Sequence, residues 1–199
     1  MNHKRFTHWT PRYIYNRISV MIYEKKYPEL PWLTKESNHF IKNYINKNHN
    51  MLEIGSGRST VWFSKRVGKL TSLEHNEIWF NHVKKMITSN HTKLVLRNNP
   101  LRYIQFINDL KNNTLDICLI DGLERGKTLI AAYKKVKKGG LIIFDDANNY
   151  ICNPNTYSPY SVKSPLSNVY IEVENLIKND NLIWTSNGVK DTLLVIKND

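Results

Sequence analysis

From residue 51 to residue 144 the chain alternates between short apolar runs and amphipathic stretches, and few folds accommodate that rhythm. The runs are Met51–Ile54, Leu70–Leu73, Leu94–Leu96, Leu115–Ile120 and Leu141–Phe144. Between them the apolar spacing is helical: from about Ser59, over Glu77–Ser89 with Ile78, Val83, Met86 and Ile87 inward, over Leu101–Leu110, and over Lys127–Lys138, stopped by Gly139-Gly140. Strand alternating with helix predicts an α/β fold, a doubly wound and mostly parallel sheet with right-handed crossovers. The unbroken run Leu115–Ile120 is what a parallel strand covered on both faces requires. After a last helix over Leu166–Lys178, Leu182–Thr185 and Thr192–Ile196 flank Asn187-Gly188, a strong hairpin signal. The hairpin brings the sheet to seven strands and forces one antiparallel edge strand.

Upstream, helices are expected over Arg12–Tyr27 and from Thr34, as a cap, through Ile45. Residues 1–48 then form a helical extension or lid over a domain spanning 49–199. Ala147–Ser164 is polar and rich in Pro and Tyr, a loop long enough to suggest a functional cover.

Composition removes several classes of protein. The 199 residues suffice for one domain with a real core. The apolar runs are too short to span a bilayer, and the N-terminus lacks the apolar segment of a signal peptide, so a soluble cytoplasmic protein is expected. Cys118 and Cys152 can make neither a disulfide framework nor a zinc site by themselves. The net charge of +12 is spread along the whole chain, which reads as solvated helix faces more than as a single anion-binding patch.

In an open α/β sheet ligands bind beyond the carboxyl ends of the strands. Those ends carry Glu53 to Gly57, Glu74-His75, Asn98-Asn99, Asp121-Gly122 and Asp145-Asp146. Gly55-Ser56-Gly57 permits a tight turn, with close approach of a ligand to the backbone and to the following helix N-terminus. Glu74 follows Gly55 by about 20 residues, the spacing at which an acidic side chain accepts both hydroxyls of an adenosine ribose. Together they point to a nucleoside-containing cofactor. NAD is disfavoured, because Thr60 stands where the dinucleotide fingerprint has its third glycine and the chain leaves little room for a substrate domain.

Met51-Leu-Glu-Ile-Gly-Ser-Gly-Arg-Ser-Thr60, Glu74, Leu119-Ile-Asp-Gly122 and Gly139-Gly-Leu-Ile-Ile-Phe-Asp-Asp146 resemble class I S-adenosylmethionine-dependent methyltransferases, over about residues 50–197. The resemblance implies a Rossmann-like methyltransferase fold. It implies that Glu53 and the Gly55–Gly57 loop, Ser56 included, hold the methionine part of S-adenosylmethionine, with Ser59 and Thr60 adding hydroxyl contacts. Glu74 would bind the ribose, His75 would border the adenine, and Asp121 with Gly122 would lie near the sulfonium and the acceptor. Asp121, Asp145 and Asp146 are similar to the metal-binding aspartates of the catechol and macrocin O-methyltransferase types, and Mg²⁺ is the hard cation such a set would hold. One departure is visible: where the catechol type has a lysine three residues after the first Asp, this chain has Glu124, then Arg125. Arg125 could instead hold an anionic group of the substrate.

The expected function is O-methylation of a small molecule or sugar hydroxyl, with Asp121, Asp145 and Asp146 catalytic and Trp9, Tyr13, Trp32, Tyr150, Tyr157 and Tyr160 available to cover the acceptor. Two alternatives stand beside it. The charge and the basic, aromatic N-terminus (Lys4, Arg5, Trp9, Arg12, Tyr13) would suit a nucleic-acid methyltransferase, although no Asn-Pro-Pro-aromatic motif follows the fourth strand. A non-catalytic cofactor-binding subunit is the other.

Overall fold

The structure, a computed structural model, describes residues 9–198; Lys4 and Arg5 lie outside them. The alternation closes as one seven-stranded sheet: β1 (Asn50–Ile54), β2 (Lys69–Glu74), β3 (Thr92–Leu96), β4 (Leu115–Ile120), β5 (Val136–Asp145), β6 (Asn181–Ser186) and β7 (Asp191–Ile196). Their spatial order is β3-β2-β1-β4-β5-β7-β6. The first five are parallel and β7 runs antiparallel to both β5 and β6. Chain order reverses between β1 and β4, and a ligand crevice belongs above that point.

Among the described residues seven α-helices accompany the strands: α1 (Pro11–Lys26), α2 (Lys35–Tyr44), α3 (Arg58–Ser64), α4 (Glu77–Met86), α5 (Pro100–Asn108), α6 (Arg125–Tyr133) and α7 (Asn168–Ile177). Side chains of α5, α6 and α7, among them Tyr103, Ile107, Leu129 and Val173, bury one face of the sheet. Ile41 of α2, and Trp62 and Phe63 of α3, bury the other. The segment before β1 divides in two. Leu33 and α2 belong to the core, and the hydroxyls of Thr34 and Ser37 bond Thr185 of β6 at 2.5 and 2.7 Å. Helix α1 buries no residue, and Ile14, Ile18, Met21 and Ile22 are exposed along it. Among the described residues no helix is long and apolar enough to cross a membrane.

Several local expectations fail, each for a tertiary reason. The helix expected over Lys127–Lys138 ends at Tyr133, and Val136 to Gly140 are strand. Val136 pairs with Leu115, and the register then slips so that Ile117 faces Leu141. Gly139, at φ +72°, lies in that bulge, so the paired glycines bend a strand and do not stop a helix. Of the nearby lysines, Lys135 Nζ caps the end of α5 through the carbonyls of Asn108 and Leu110 (2.9 and 2.7 Å). In α4, Ile78 is 83% exposed, since Val83 faces the sheet and Trp79 is turned to the loop after β1. The hairpin loop is four residues long, Asn187 to Lys190, and only Gly188 has positive φ. Asn187 Oδ1 accepts from the N–H groups of both Val189 and Lys190 at 3.0 Å.

Candidate active site

The switch point is built from two loops that pass back to back. Gly55 (φ +92°) follows β1, Gly122 follows β4, and the main chains nearly touch. A Cβ on Gly55 would lie 2.7 Å from the carbonyl oxygen of Asp121, and one on Gly122 would lie 2.8 Å from Ile54 Cγ2. Gly57 differs: its φ of 170° is extended backbone and a Cβ would meet Trp79 at an ordinary 3.9 Å. Gly55→Ala is therefore expected to cost roughly 1–3 kcal/mol from the left-handed backbone alone, with the overlap added. Chemical unfolding measures this; an unchanged midpoint would show that the two loops are not packed this way.

Glu53, which the resemblance implies holds the methionine part of the cofactor, lies beneath the glycine loop. It is fully buried, and Ser59, Thr60 and Ser72 donate their hydroxyls to its two oxygens at 2.5, 2.6 and 2.6 Å. Thr60 Oγ1 also accepts from the Gly57 N–H at 2.8 Å. Glu53, Ser59 and Thr60 thus fix the shape of the loop from below. Burial pushes the Glu53 carboxyl up to about 7, against the opposing pull of the three hydroxyls. The folded chain holds this proton where the unfolded chain has lost it. The associated stability is complete at acid pH and is lost as pH rises from the unfolded value near 4.5 to about 7. Comparison with Glu53→Gln isolates the effect: the variant is expected to gain on the wild type as pH rises through that window, and parallel stability profiles would contradict it.

Glu74, at the end of β2, is buried and satisfied on all sides. Its Oε2 accepts from the N–H and hydroxyl of Ser56 (3.0 and 2.7 Å) and its Oε1 from the N–H groups of His75 and Asn76 (2.8 and 2.9 Å). The carboxylate therefore clamps the glycine loop to β2. Of its four hydrogen-bond donors only the Ser56 hydroxyl is a side chain that can rotate away, and the His75 ring lies beside Oε1 with Nδ1 at 3.1 Å. His75 stands edge-on to Tyr103, with centroids 6.5 Å apart. A cavity of about 640 Å³ opens beside the loop between Trp32, Arg58, Trp62 and Trp79, with Asp121 in its wall. The Arg58 guanidinium lies 4.7 Å from the Trp32 ring centroid, and its Nη1 is buried without a hydrogen-bond partner.

Asp121, Asp145 and Asp146 converge as expected, each offering an oxygen within 4.8 Å of the others. Burial and the charge of Asp145 push the Asp121 carboxyl above the usual range, and burial does the same to Asp145. Two cations already sit among them. Arg125 Nη2 reaches Asp121 Oδ1 at 2.7 Å and its Nη1 lies 3.2 Å from Asp146 Oδ2. Lys190 Nζ lies 2.9 Å from Asp145 Oδ2, and the Thr192 hydroxyl donates to Asp145 Oδ1, also at 2.9 Å. As built, the cluster does not fit Mg²⁺, which demands near-octahedral oxygen ligation at about 2.0–2.1 Å. Glu124, which precedes Arg125 in the chain, and Asp146, which pairs with it, both have φ of 52°, a strained backbone of the sort found at functional sites.

Two features escaped sequence reasoning. Lys190 looked like any other cation until the hairpin carried it to Asp145. Asp191, fully buried, accepts from Thr156, from Ser158 at 2.5 Å and from Trp184 Nε1 at 2.8 Å. It pins the 147–164 stretch to the hairpin. Within that stretch Tyr150 lies beside Arg125, 5.3 Å from ring centroid to guanidinium, and Tyr157 packs on Arg12 at 4.3 Å. Tyr157 and Tyr160 are largely exposed.

No protein-family model matches the sequence, and neither does any curated protein. Solved structures do match. An O-methyltransferase from Bacillus cereus in complex with SAH is 18% identical, with 92% of this chain and 91% of that one aligned at a TM-score of 0.62. A putative caffeoyl-CoA O-methyltransferase from Staphylococcus aureus is 20% identical over 96% and 95% of the two chains, with a TM-score of 0.60. The fold is that of the class I methyltransferases. A tRNA (m1A58) methyltransferase from Aquifex aeolicus shares it more distantly: 13% identity, 80% of this chain, 66% of that one, TM-score 0.53. Such a range of acceptors on one methyltransferase fold means that the side chains described above, not the architecture, must carry any statement about chemistry.

Proposed function

We propose that the protein is an S-adenosylmethionine-dependent methyltransferase acting on a hydroxyl of a small molecule or sugar. The observation that carries the reading is the clamp of Glu74 on Ser56, directly above the crossing of Gly55 and Gly122. A ribose diol that displaces the Ser56 hydroxyl would find a buried carboxylate, and the methionine part would run along the Gly55–Gly57 main chain toward Asp121. His75 would border the adenine.

When bound, the donor supplies a methyl group on a sulfonium: the S–CH3 bond breaks with its electron pair passing to sulfur as the O–CH3 bond forms. The chain's own contribution is alignment, exclusion of water and removal of the acceptor's proton. Asp121 stands at the end of β4 beside the donor loop, and its raised pKa favours taking a proton. Trp32, in the cavity wall, offers a ring face for the acceptor, and the segment before β1 together with the 147–164 stretch serves as the cover. No step requires a metal, because Arg125 and Lys190 already supply positive charge to the carboxylates.

The test is donor-dependent formation of S-adenosylhomocysteine with a panel of phenolic, sugar and RNA acceptors. Turnover on a hydroxyl compound supports the reading. Turnover on RNA alone, with affinity falling steeply with salt, would move the assignment to nucleic acid. Tight donor binding without turnover on any acceptor would favour a non-catalytic subunit.

A further inference from the structure

The carboxylate cluster has the oxygen spacing of a divalent-cation site and the charge of one already filled. Arg125 is locked from three directions: Nε donates to the Gly122 carbonyl at 3.3 Å, Nη1 to the Asp145 carbonyl, and Nη2 to Asp121. Lys190 Nζ donates to the Trp32 carbonyl and to Asp145 Oδ2. Both are largely buried, and the aspartates more than offset the burial, holding both groups firmly in the charged form. Three carboxylates against two fixed cations leave little net charge to draw in a third. The Asp145 carboxylate is the most committed, with one oxygen on Lys190 and the other on Thr192.

We propose that Arg125 and Lys190 form a built-in dication in the place of a divalent metal, so that the wild-type cluster binds no metal ion and the site acts without one. An ammonium has three donors, and the two named partners of Lys190 leave one for the oxygen that accepts the methyl group. This last assignment rests on the methyltransferase reading; the exclusion of metal does not. Lys190 is held by backbone geometry: Asn187 Oδ1 fixes the hairpin loop by accepting its N–H, and Asp191, the next residue, is the buried hub of the neighbouring loop. Arg125 is a positioning residue, since its hydrogen bonds go to the chain itself.

Mn²⁺ is the probe, read by paramagnetic resonance and by calorimetry on the full chain, with binding of S-adenosylhomocysteine followed separately. Wild type is expected to show no carboxylate-dependent Mn²⁺ binding up to millimolar metal. Lys190→Met, which is one atom shorter, keeps the unbranched shape of the side chain and removes its charge, is expected to gain Mn²⁺ affinity by about tenfold or more, and adding Asp145→Asn to it is expected to abolish the gain. Lys190→Ala serves the same purpose should the methionine variant fail to fold. Submillimolar Mn²⁺ binding by wild type that is lost in Asp145→Asn overturns the proposal, as does a failure of folded Lys190 variants to gain metal. Loss of S-adenosylhomocysteine binding in wild type would instead count against the donor site and leave the metal result standing.

Discussion

Replacing Glu74 with alanine is expected to weaken binding of S-adenosylhomocysteine by about 10- to 100-fold. A hydrogen bond to a charged acceptor contributes about 1.5–3 kcal/mol, and a ribose hydroxyl in place of the Ser56 hydroxyl makes one of them. Since about 1.4 kcal/mol is tenfold in affinity, that single bond gives one to two orders of magnitude. The variant also releases the N–H groups of Ser56, His75 and Asn76, so the glycine loop is expected to loosen. Thermal unfolding separates the two effects: the fold should survive on its buried core, while calorimetry shows the lost ligand. A folded Glu74→Ala protein with affinity within a few-fold of wild type would mean that the ribose lies elsewhere.

The second large effect concerns turnover. Asp121→Asn is expected to lower the rate of methyl transfer by roughly 10²–10⁴-fold, the usual contribution of a positioned general base, while leaving donor affinity within a few-fold. The separation is expected because the backbone of Asp121 does the structural work at the crossing: its N–H donates to the Ile54 carbonyl at 2.9 Å and its carbonyl faces Gly55. The amide side chain leaves both untouched and keeps an oxygen for Arg125. The measurement is single-turnover transfer to whichever hydroxyl acceptor the panel identifies. Equal loss of binding and rate would make Asp121 part of the donor pocket, and no loss would remove it from the chemistry.

How much of this was legible beforehand depended on distance along the chain. The glycine turn, Glu74 and the three aspartates were visible because each lies at the end of a strand whose apolar run announces it. Local signals misled where a distant strand decided the outcome. The lysines and glycines of 134–140 have the composition of a helix end, but pairing of Val136 with Leu115 and of Leu141 with Ile117 makes them a bulged strand. Glu53 looked like a ligand-facing carboxylate at a strand end; three hydroxyls, one of them from Ser72 on the neighbouring strand, turn it inward. Lys190 and Asp191 could not be singled out, since their roles come mainly from hydrogen bonds to residues 33 to 158 positions away. The exposed apolar side chains of α1 show the limit of periodicity: it identified the helix, while nothing in the described chain covers that face.

The most direct measurement is a calorimetric titration of the purified wild-type chain with S-adenosylhomocysteine and, separately, with NADH. The account predicts one saturable site for the homocysteine nucleoside, weakened in Glu74→Ala and indifferent to added Mg²⁺, with no heat of binding for NADH. Saturable binding of NADH with none of S-adenosylhomocysteine would contradict it.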